Sequence, residues 1–316
     1  MIGVCIVTYN QSNYIEKCIN SALTQKCNEQ IIVYVADDCS TDSTYDKCLS
    51  YGDKIRYVRR EKNVGLVRNT MLLLLEMKND GCEYIAMLDG DDYWCDEYKC
   101  QKEVEYFKNH NKTGLVHTCI YRLYPYGLKM DRRKTERSGY VYDIVESVPI
   151  GNCSVMFKSE LLEHISFEEF MNQKFWSCDY VMYCIFSKYT EFGFIPEHTA
   201  VWRRGHDSVS HANDLEKQLL YVENGVEMWK YLNRLFPDRW SYSERGANNF
   251  RNIYSFNVAF SNCSYFFVEK YRKKILHSGY VLSYKMKLKL IVSHSYFIMK
   301  VWQLLKQFRN RVSLYY

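Results

Sequence analysis

At 316 residues, 47% hydrophobic and 25% charged, the chain has the composition of a folded protein with one large domain or two moderate ones, which excludes a disordered one. Four prolines, no low-complexity tract and no repeat at solenoid periods exclude linker-rich and repeat architectures. The formal charge of +5 hides an asymmetry: from Lys270 onward there are eleven Lys or Arg and no Asp or Glu, leaving 31 basic against 37 acidic side chains before it.

The chain opens on "IGVCIVTY", which reads as a strand, with no basic n-region and no small-residue cleavage site. Thirteen cysteines, odd in number and scattered, form neither C-x-x-C pairs nor zinc spacings with histidine. The expectation is a reduced, cytoplasmic protein without structural zinc. "NYIEKCINSALTQ" sets Ile15, Cys18, Ile19, Ala22 and Leu23 at helical period. "IIVYVADD" is a near-continuous β-rich run, as in a parallel strand covered on both faces. "STDSTYDKCLSYG" offers Ser40 or Thr41 as an N-cap and Gly52 as a stop. "KIRYVRR" is a third strand, "GLVRNTMLLLLEMKNDG" a helix and "EYIAMLD" a fourth strand. Four alternations of strand and helix predict an α/β fold with a parallel sheet. Residues 111 to 215 read as more irregular, with short β runs such as "TGLVHTCIY" and "CSVMFK". From 216 onward the pattern is helical, and boundaries fall near 110 and 215.

In parallel α/β sheets ligands bind outside the carboxyl ends of the strands. Here those ends are Thr8-Tyr9-Asn10, Asp37-Asp38 and Asp89-Gly90-Asp91-Asp92. Carboxylates crowded behind a buried strand repel one another unless a cation or a set of donors meets them. Read singly, Asp37 and Asp38 also suit helix capping, Asp89 and Asp91 a solvated turn, and Arg68 an ordinary helix surface.

The ordered set "VTYNQSNYIEKCINSALTQ", "VADDCSTDST", "NVGLVRN", "YIAMLDGDDYW", "WSCDYVMY" and "RRGHDSVSH" resembles the inverting family-2 glycosyltransferases of GT-A fold, over roughly residues 2 to 211. The resemblance implies a Rossmann-like, mainly parallel sheet flanked by helices, with a C-terminal helical extension. It makes 1–110 the nucleotide-sugar-binding half, 111–215 the acceptor-binding half and 216–316 a helical basic region. It assigns Asp91, with Asp89, to Mn2+ or Mg2+, and gives Asp89 a second option at the ribose; Asp92 would support its neighbours. Thr8, Tyr9 and Asp38 would hold the nucleobase, Arg68 would sit near base and diphosphate, and Arg203, Arg204 and His206 would close over the diphosphate. Asp179 would be the catalytic base. The implied donor is a nucleotide-sugar, UDP-sugar favoured, and the implied acceptor a glycan or lipid-linked glycan of surface polysaccharide synthesis. The sequence departs from the family pattern at Cys39, where a glycine is usual, at Cys178, where a glutamate is usual, near Asp96, where a proline is usual, and in "NTMLLLL", which lacks a glycine.

Other classes fit less well. Aspartyl-phosphate phosphatases need an acid after strand 1, Rossmann dehydrogenases a G-x-G-x-x-G, and nucleotidyltransferases a glycine- and basic-rich opening loop; "TYNQSNY" supplies none of them. The competing reading is an inactive donor-binding partner subunit of a glycan-assembly complex. In the tail, Lys285, Lys289, Ser293, Lys300, Gln303, Gln307 and Arg311 share one side of a single helix. Leu290, Ile291, Phe297, Ile298, Val301, Trp302, Leu304, Leu305 and Phe308 fill the other. Such a helix suits either an anionic membrane surface, through 285–311 on the inner face of the plasma membrane, or packing on the body or in a homodimer. Nucleic acid has no role in this reading.

Overall fold

The computed structural model describes residues 1–130, 150–204, 214–238, 242–279, 281–302 and 304. By its internal contacts the chain divides into two compact units, Met1–Arg204 and Gly205–Tyr316.

The first unit is built on one mixed sheet. β1 (Ile2–Thr8) is buried along its whole length, and β2 (Ile31–Asp37) is buried over its last five residues. Such strands have no polar face to expose, so the sheet must be covered on both sides. β3 (Arg56–Arg59), β2, β1 and β4 (Tyr84–Asp89) lie in that order and are mutually parallel. α1 (Ile15–Leu23) buries Ile15, Cys18, Ile19 and Ala22 at the predicted spacing, and α3 (Leu66–Asn79) buries Val67, Met71, Leu74 and Met77. α2 (Thr44–Leu49) begins later than the predicted caps: Ser40 is engaged with Asp37, and Asp42 Oδ1 instead accepts the Thr44 N–H at 2.9 Å.

Beyond β4 the sheet continues through β8 (Val155–Lys158), β6 (Thr113–Tyr124), β9 (Glu191–Arg203) and β5 (Tyr93–Trp94), with β7 (Gly127–Met130) on β6. The segment read as irregular thus holds two long strands of 12 and 13 residues, β6 and β9, paired in parallel. Register shifts between Thr118 and Cys119 and between Cys119 and Ile120 break their alternation, and Pro196 sits where β9 jumps from Ile195 to His198. A bulge tolerates the missing proline N–H and hides the period-two signal. α4 (Lys99–Asn109), α5 (Phe167–Asn172) and α6 (Asp179–Phe186) complete the unit.

The second unit is helical: α7 (Leu215–Leu235), α8 (Glu244–Ser261), α9 (Tyr265–His277) and α10 (Tyr284–Val292). Asp214, Ser243 and Ser283 cap α7, α8 and α10 by accepting from the N–H groups of Lys217, Gly246 and Met286. Phe256, Phe260, Val268, Ile275, Met286, Leu290 and Met299 form its core. The single helix expected over 285–311 is not present: α10 stops at Val292, the chain turns at Ser293 and His294, and residues 296–302 are helical again. Ser293 is buried with its hydroxyl on the Leu290 carbonyl, and Lys289 turns inward to the Asn257 amide oxygen and the Phe260 ring, so part of the supposed polar side faces the core. Residues 303 and 305–316 of that tail lie outside the described residues. Among the described residues no helix is long and apolar enough to cross a membrane.

Candidate active site

The parallel register of β2, β1 and β4 sets Thr8 opposite Asp37 and Val7 opposite Asp89, so the three motif-bearing strand ends meet at one rim. The Asp38 N–H bonds the Thr8 carbonyl at 2.9 Å and the Gly90 N–H bonds the Val7 carbonyl at 3.1 Å. Between the first two ends, Asn10 takes a left-handed φ of 52°, accepts the Thr41 N–H on its side-chain oxygen and gives its own N–H to the Ser40 hydroxyl. The Thr8 hydroxyl, buried, donates to Gln11 Oε1 at 2.8 Å, while Tyr9 leaves an exposed ring at the rim.

The two acids after β2 have different tasks. Asp37 is wholly buried and accepts the Ser40 N–H and hydroxyl and the Tyr57 hydroxyl, with Arg59 Nε 3.7 Å away; it is a structural ligand of its own loop. Asp38 accepts the Val64 N–H on one oxygen at 2.7 Å and the Gly65 N–H on the other at 2.8 Å. It thereby fixes the entry to α3, and each oxygen keeps a further lone pair. One turn on, Arg68 is exposed and lines a cleft with Lys174, Phe175 and Trp176.

After β4, Asp89, Asp91 and Asp92 share one turn, closed by the Asp92 N–H on the Asp89 carbonyl at 2.9 Å. Asp89 accepts the Asn152 side-chain amide on both oxygens, at 2.9 and 3.1 Å, and the Tyr183 hydroxyl donates to Asn152 Oδ1 at 2.6 Å. Burial first, then the Asp91 charge, pushes Asp89 up to about 7; Asn152 opposes the shift and the Asp179 charge adds to it. Asp92 is raised well above the usual carboxylate range, by burial and then by Asp91 and Asp89, although it accepts the Arg203 N–H and a bond from the Cys153 thiol. It supports the turn, as does the Arg203 side chain, which donates to the Asp91 carbonyl and lies over the Tyr14 ring. Arg204 anchors its N–H on the Leu123 carbonyl and spreads over Trp202. His206 lies outside the described residues.

Asp179 is the first residue of α6, where the helix N-terminus favours a carboxylate, and it accepts the Ser177 hydroxyl. Four residues on, Tyr183 ties α6 to Asp89 through Asn152, and the Asp179 charge adds to the upward push on Asp89. Asn152 and Tyr183 escaped the sequence reading; Asn152 precedes an apolar run and Tyr183 is one of 29 tyrosines, so only their partners reveal them.

Among the described residues no three or more His, Cys, Asp or Glu side chains converge as a metal cage. The donor set instead suits an ion bound by one or two carboxylates and completed by substrate phosphates, as Mg2+ commonly is. A divalent cation would relieve the carboxylate repulsion that, after burial, helps to raise Asp89 and Asp92.

Comparison with known proteins bears on this arrangement. A protein of Mycobacterium tuberculosis is 30% identical over 132 residues, 40% of this chain and 37% of the relative. A glycosyltransferase of Rickettsia typhi is 28% identical over 174 residues, 52% of each chain. TuaG of Bacillus subtilis, named for teichuronic acid biosynthesis, is 33% identical over 111 residues, 34% of this chain and 41% of the relative. The chain thus spans well under half the length of the mycobacterial relative. Among solved structures, S. aureus TarS 1-349 in complex with UDP-GlcNAc superposes with a TM-score of 0.55 at 15% identity, over 94% of this chain and 88% of that one. The mannosyltransferase PcManGT of Pyrobaculum calidifontis, in complex with GDP-Man and Mn2+, gives 0.55 at 13% identity, over 96% and 86%. These likenesses establish a GT-A fold. The family model "Glycosyl transferase family 2" matches residues 3–165, from β1 through the acidic loop to the strand that follows Asn152. Just over half of the chain, including the three acid- and hydroxyl-ended strands of the rim, therefore follows one family pattern: the chain belongs to glycosyl transferase family 2.

Proposed function

We propose that the chain transfers a sugar from a nucleotide-sugar, UDP-sugar favoured, to a hydroxyl of a glycan or lipid-linked glycan, with inversion at the anomeric carbon. What supports this reading is the gathering of the motif-bearing strand ends at one rim, with α6, which Asp179 opens, tied to Asp89 through Tyr183 and Asn152. The UDP-GlcNAc of TarS and the GDP-Man and Mn2+ of PcManGT support the donor class and the metal, and TuaG's name supports a surface-polysaccharide product.

Asp91, with Asp89, would hold Mn2+ or Mg2+, which when bound neutralises the charge that builds on the departing diphosphate. Asp89, clamped by Asn152, contributes a fixed carboxylate. Tyr9 covers a face of the base, Asp38 accepts from its N–H, and Arg68 and Arg204 supply positive charge toward the diphosphate. The acceptor oxygen attacks the anomeric carbon opposite the leaving diphosphate, the carbon–oxygen bond to the diphosphate breaks, and the hydroxyl proton passes to the Asp179 carboxylate. Products are the glycoside and the nucleoside diphosphate.

A thermal-shift panel of UDP, GDP, dTDP and their sugars, with and without Mn2+, tests the reading. One nucleotide should raise Tm only with metal, and Asp91→Ala should abolish the effect. Asp179→Asn should lose transfer yet keep the donor shift. A wild-type chain indifferent to all nucleotides would move the assignment to an inactive partner subunit.

A further inference from the structure

The second unit carries a surface that sugar transfer does not explain. Met286 and Leu290 of α10, and Ser293 just after it, face the core. At about 100° per residue, Tyr284 and Ile291 then point the other way, with Lys285 and Lys287 on the two borders. Tyr284 is 83% exposed and Ile291 65%. The helical stretch 296–302 repeats the plan: Met299 is fully buried and Trp302 packs on the same core. Phe297, 75% exposed, Val301 and, just beyond, Leu304, 63% exposed, look outward, bordered by Lys300. The two helices share one core, so both outward stripes turn away from it. On α9 the side opposite Val268, Arg272 and Ile275 carries the exposed Phe266 with Lys270, Lys273 and Lys274.

Large apolar side chains held out in water are costly unless something covers them. The lysines around them select the cover. No Asp or Glu follows Glu269, so a protein partner would have to supply all the compensating negative charge, whereas an anionic lipid surface offers apolar depth and negative charge together. A second copy of this surface would set lysines against lysines.

We propose that α9, α10 and residues 296–302 form a docking surface for an anionic lipid bilayer. The outward stripes of Tyr284, Ile291, Phe297 and Val301 enter the interface, and Lys285, Lys287, Lys300 and the α9 lysines meet the headgroups. The surface differs from a continuous lysine-faced helix, because Lys289 and Ser293 are spent on the core.

The test is co-sedimentation of the full chain with vesicles of phosphatidylcholine alone or with added phosphatidylglycerol, alongside light scattering of the free protein. Binding is expected only to the anionic vesicles and should weaken with salt. Ile291→Ser with Phe297→Ser should weaken it about tenfold or more, as should Lys287→Glu with Lys300→Glu. These residues are exposed, so circular dichroism and Tm should stay near wild type. Equal sedimentation with both vesicle types, or variants that bind as wild type does, would overturn the proposal. So would a stable dimer that ignores vesicles and dissociates in the Ile291/Phe297 variant, which would make the surface an interface between copies. The readout needs no sugar donor, so its outcome is separable from that of the catalytic reading.

Discussion

Cys39 shows how one residue can be out of keeping with its backbone. It follows the β2 acids in the left-handed region, φ +65°, where a side chain costs roughly 1–2 kcal/mol and glycine none. Its thiol reaches the Glu61 carbonyl only at 3.7 Å, a weak return. Cys39→Gly should raise stability by about 1 kcal/mol after allowing for the freer unfolded chain, read as a higher urea midpoint. A lowered midpoint would mean that the thiol contact outweighs the strain. Asp89 makes a second prediction. A carboxyl pushed up to about 7 by burial holds its proton more tightly folded than unfolded. The stability it confers is therefore complete below its ordinary value of 3.8 and is lost as pH rises through about 7. Tm of the metal-free chain should fall between about pH 4 and pH 7, and the rise in Tm on adding Mn2+ should grow over the same window. Glu103, also pushed up to about 7 by burial despite its ion pair with Lys99, acts in the same direction, so Asp89→Asn should flatten the slope without abolishing it. An unchanged slope in that variant would remove Asp89 from the account.

Secondary elements were legible in the sequence where their periodicity was uninterrupted. β1, α1, β2, α3 and β4 emerged because each buries one regular face or both, and the acid-ended strand ends followed from their order. The β run read at 113–121 stops three residues short of β6, β9 was hidden by the register shifts around Pro196, and the break after α10 by a wheel that stays amphipathic through Ser293 although the backbone does not. Asn152 was beyond reach for another reason: its importance lies in contacts 63 and 31 positions away, to Asp89 and Tyr183, which no local pattern encodes. The glycine inside the acidic loop belongs to this scale, because it lets two strand ends meet. A Cβ on Gly90 would stand 3.0 Å from the Thr8 Cβ and 2.4 Å from Gln11 Oε1. Gly90→Ala should push the ends of β1 and β4 apart, cost about 1–3 kcal/mol, and reduce the nucleotide-induced thermal shift. If stability falls while the nucleotide shift stays whole, the close approach serves the fold alone.

At the scale of the molecule, the two units differ in what ties them to relatives. The family match ends at residue 165, and every described residue assigned to the donor site, from Thr8 to Arg204, lies in the first unit. The core of Phe256, Phe260, Ile275 and Leu290 shares no residue with the sheet core of Ile2, Val4, Ala86 and Val116. Charge divides along the same line, since the acid-free stretch after Glu269 lies wholly in the second unit. Separate cores predict separable energetics. Phe256 is fully buried and stacked on Phe260 with ring centroids 5.8 Å apart. Phe256→Ala should cost about 3–5 kcal/mol through lost burial and the cavity left behind. Hydrogen exchange should report that cost as faster amides in α8, α9 and α10, with β1 and β4 as protected as before. The metal-dependent nucleotide shift should persist. Loss of protection in β1 and β4, or of the nucleotide response, would instead mean that the helical unit supports the catalytic one, and the lipid-facing surface would then be a lever on the active site.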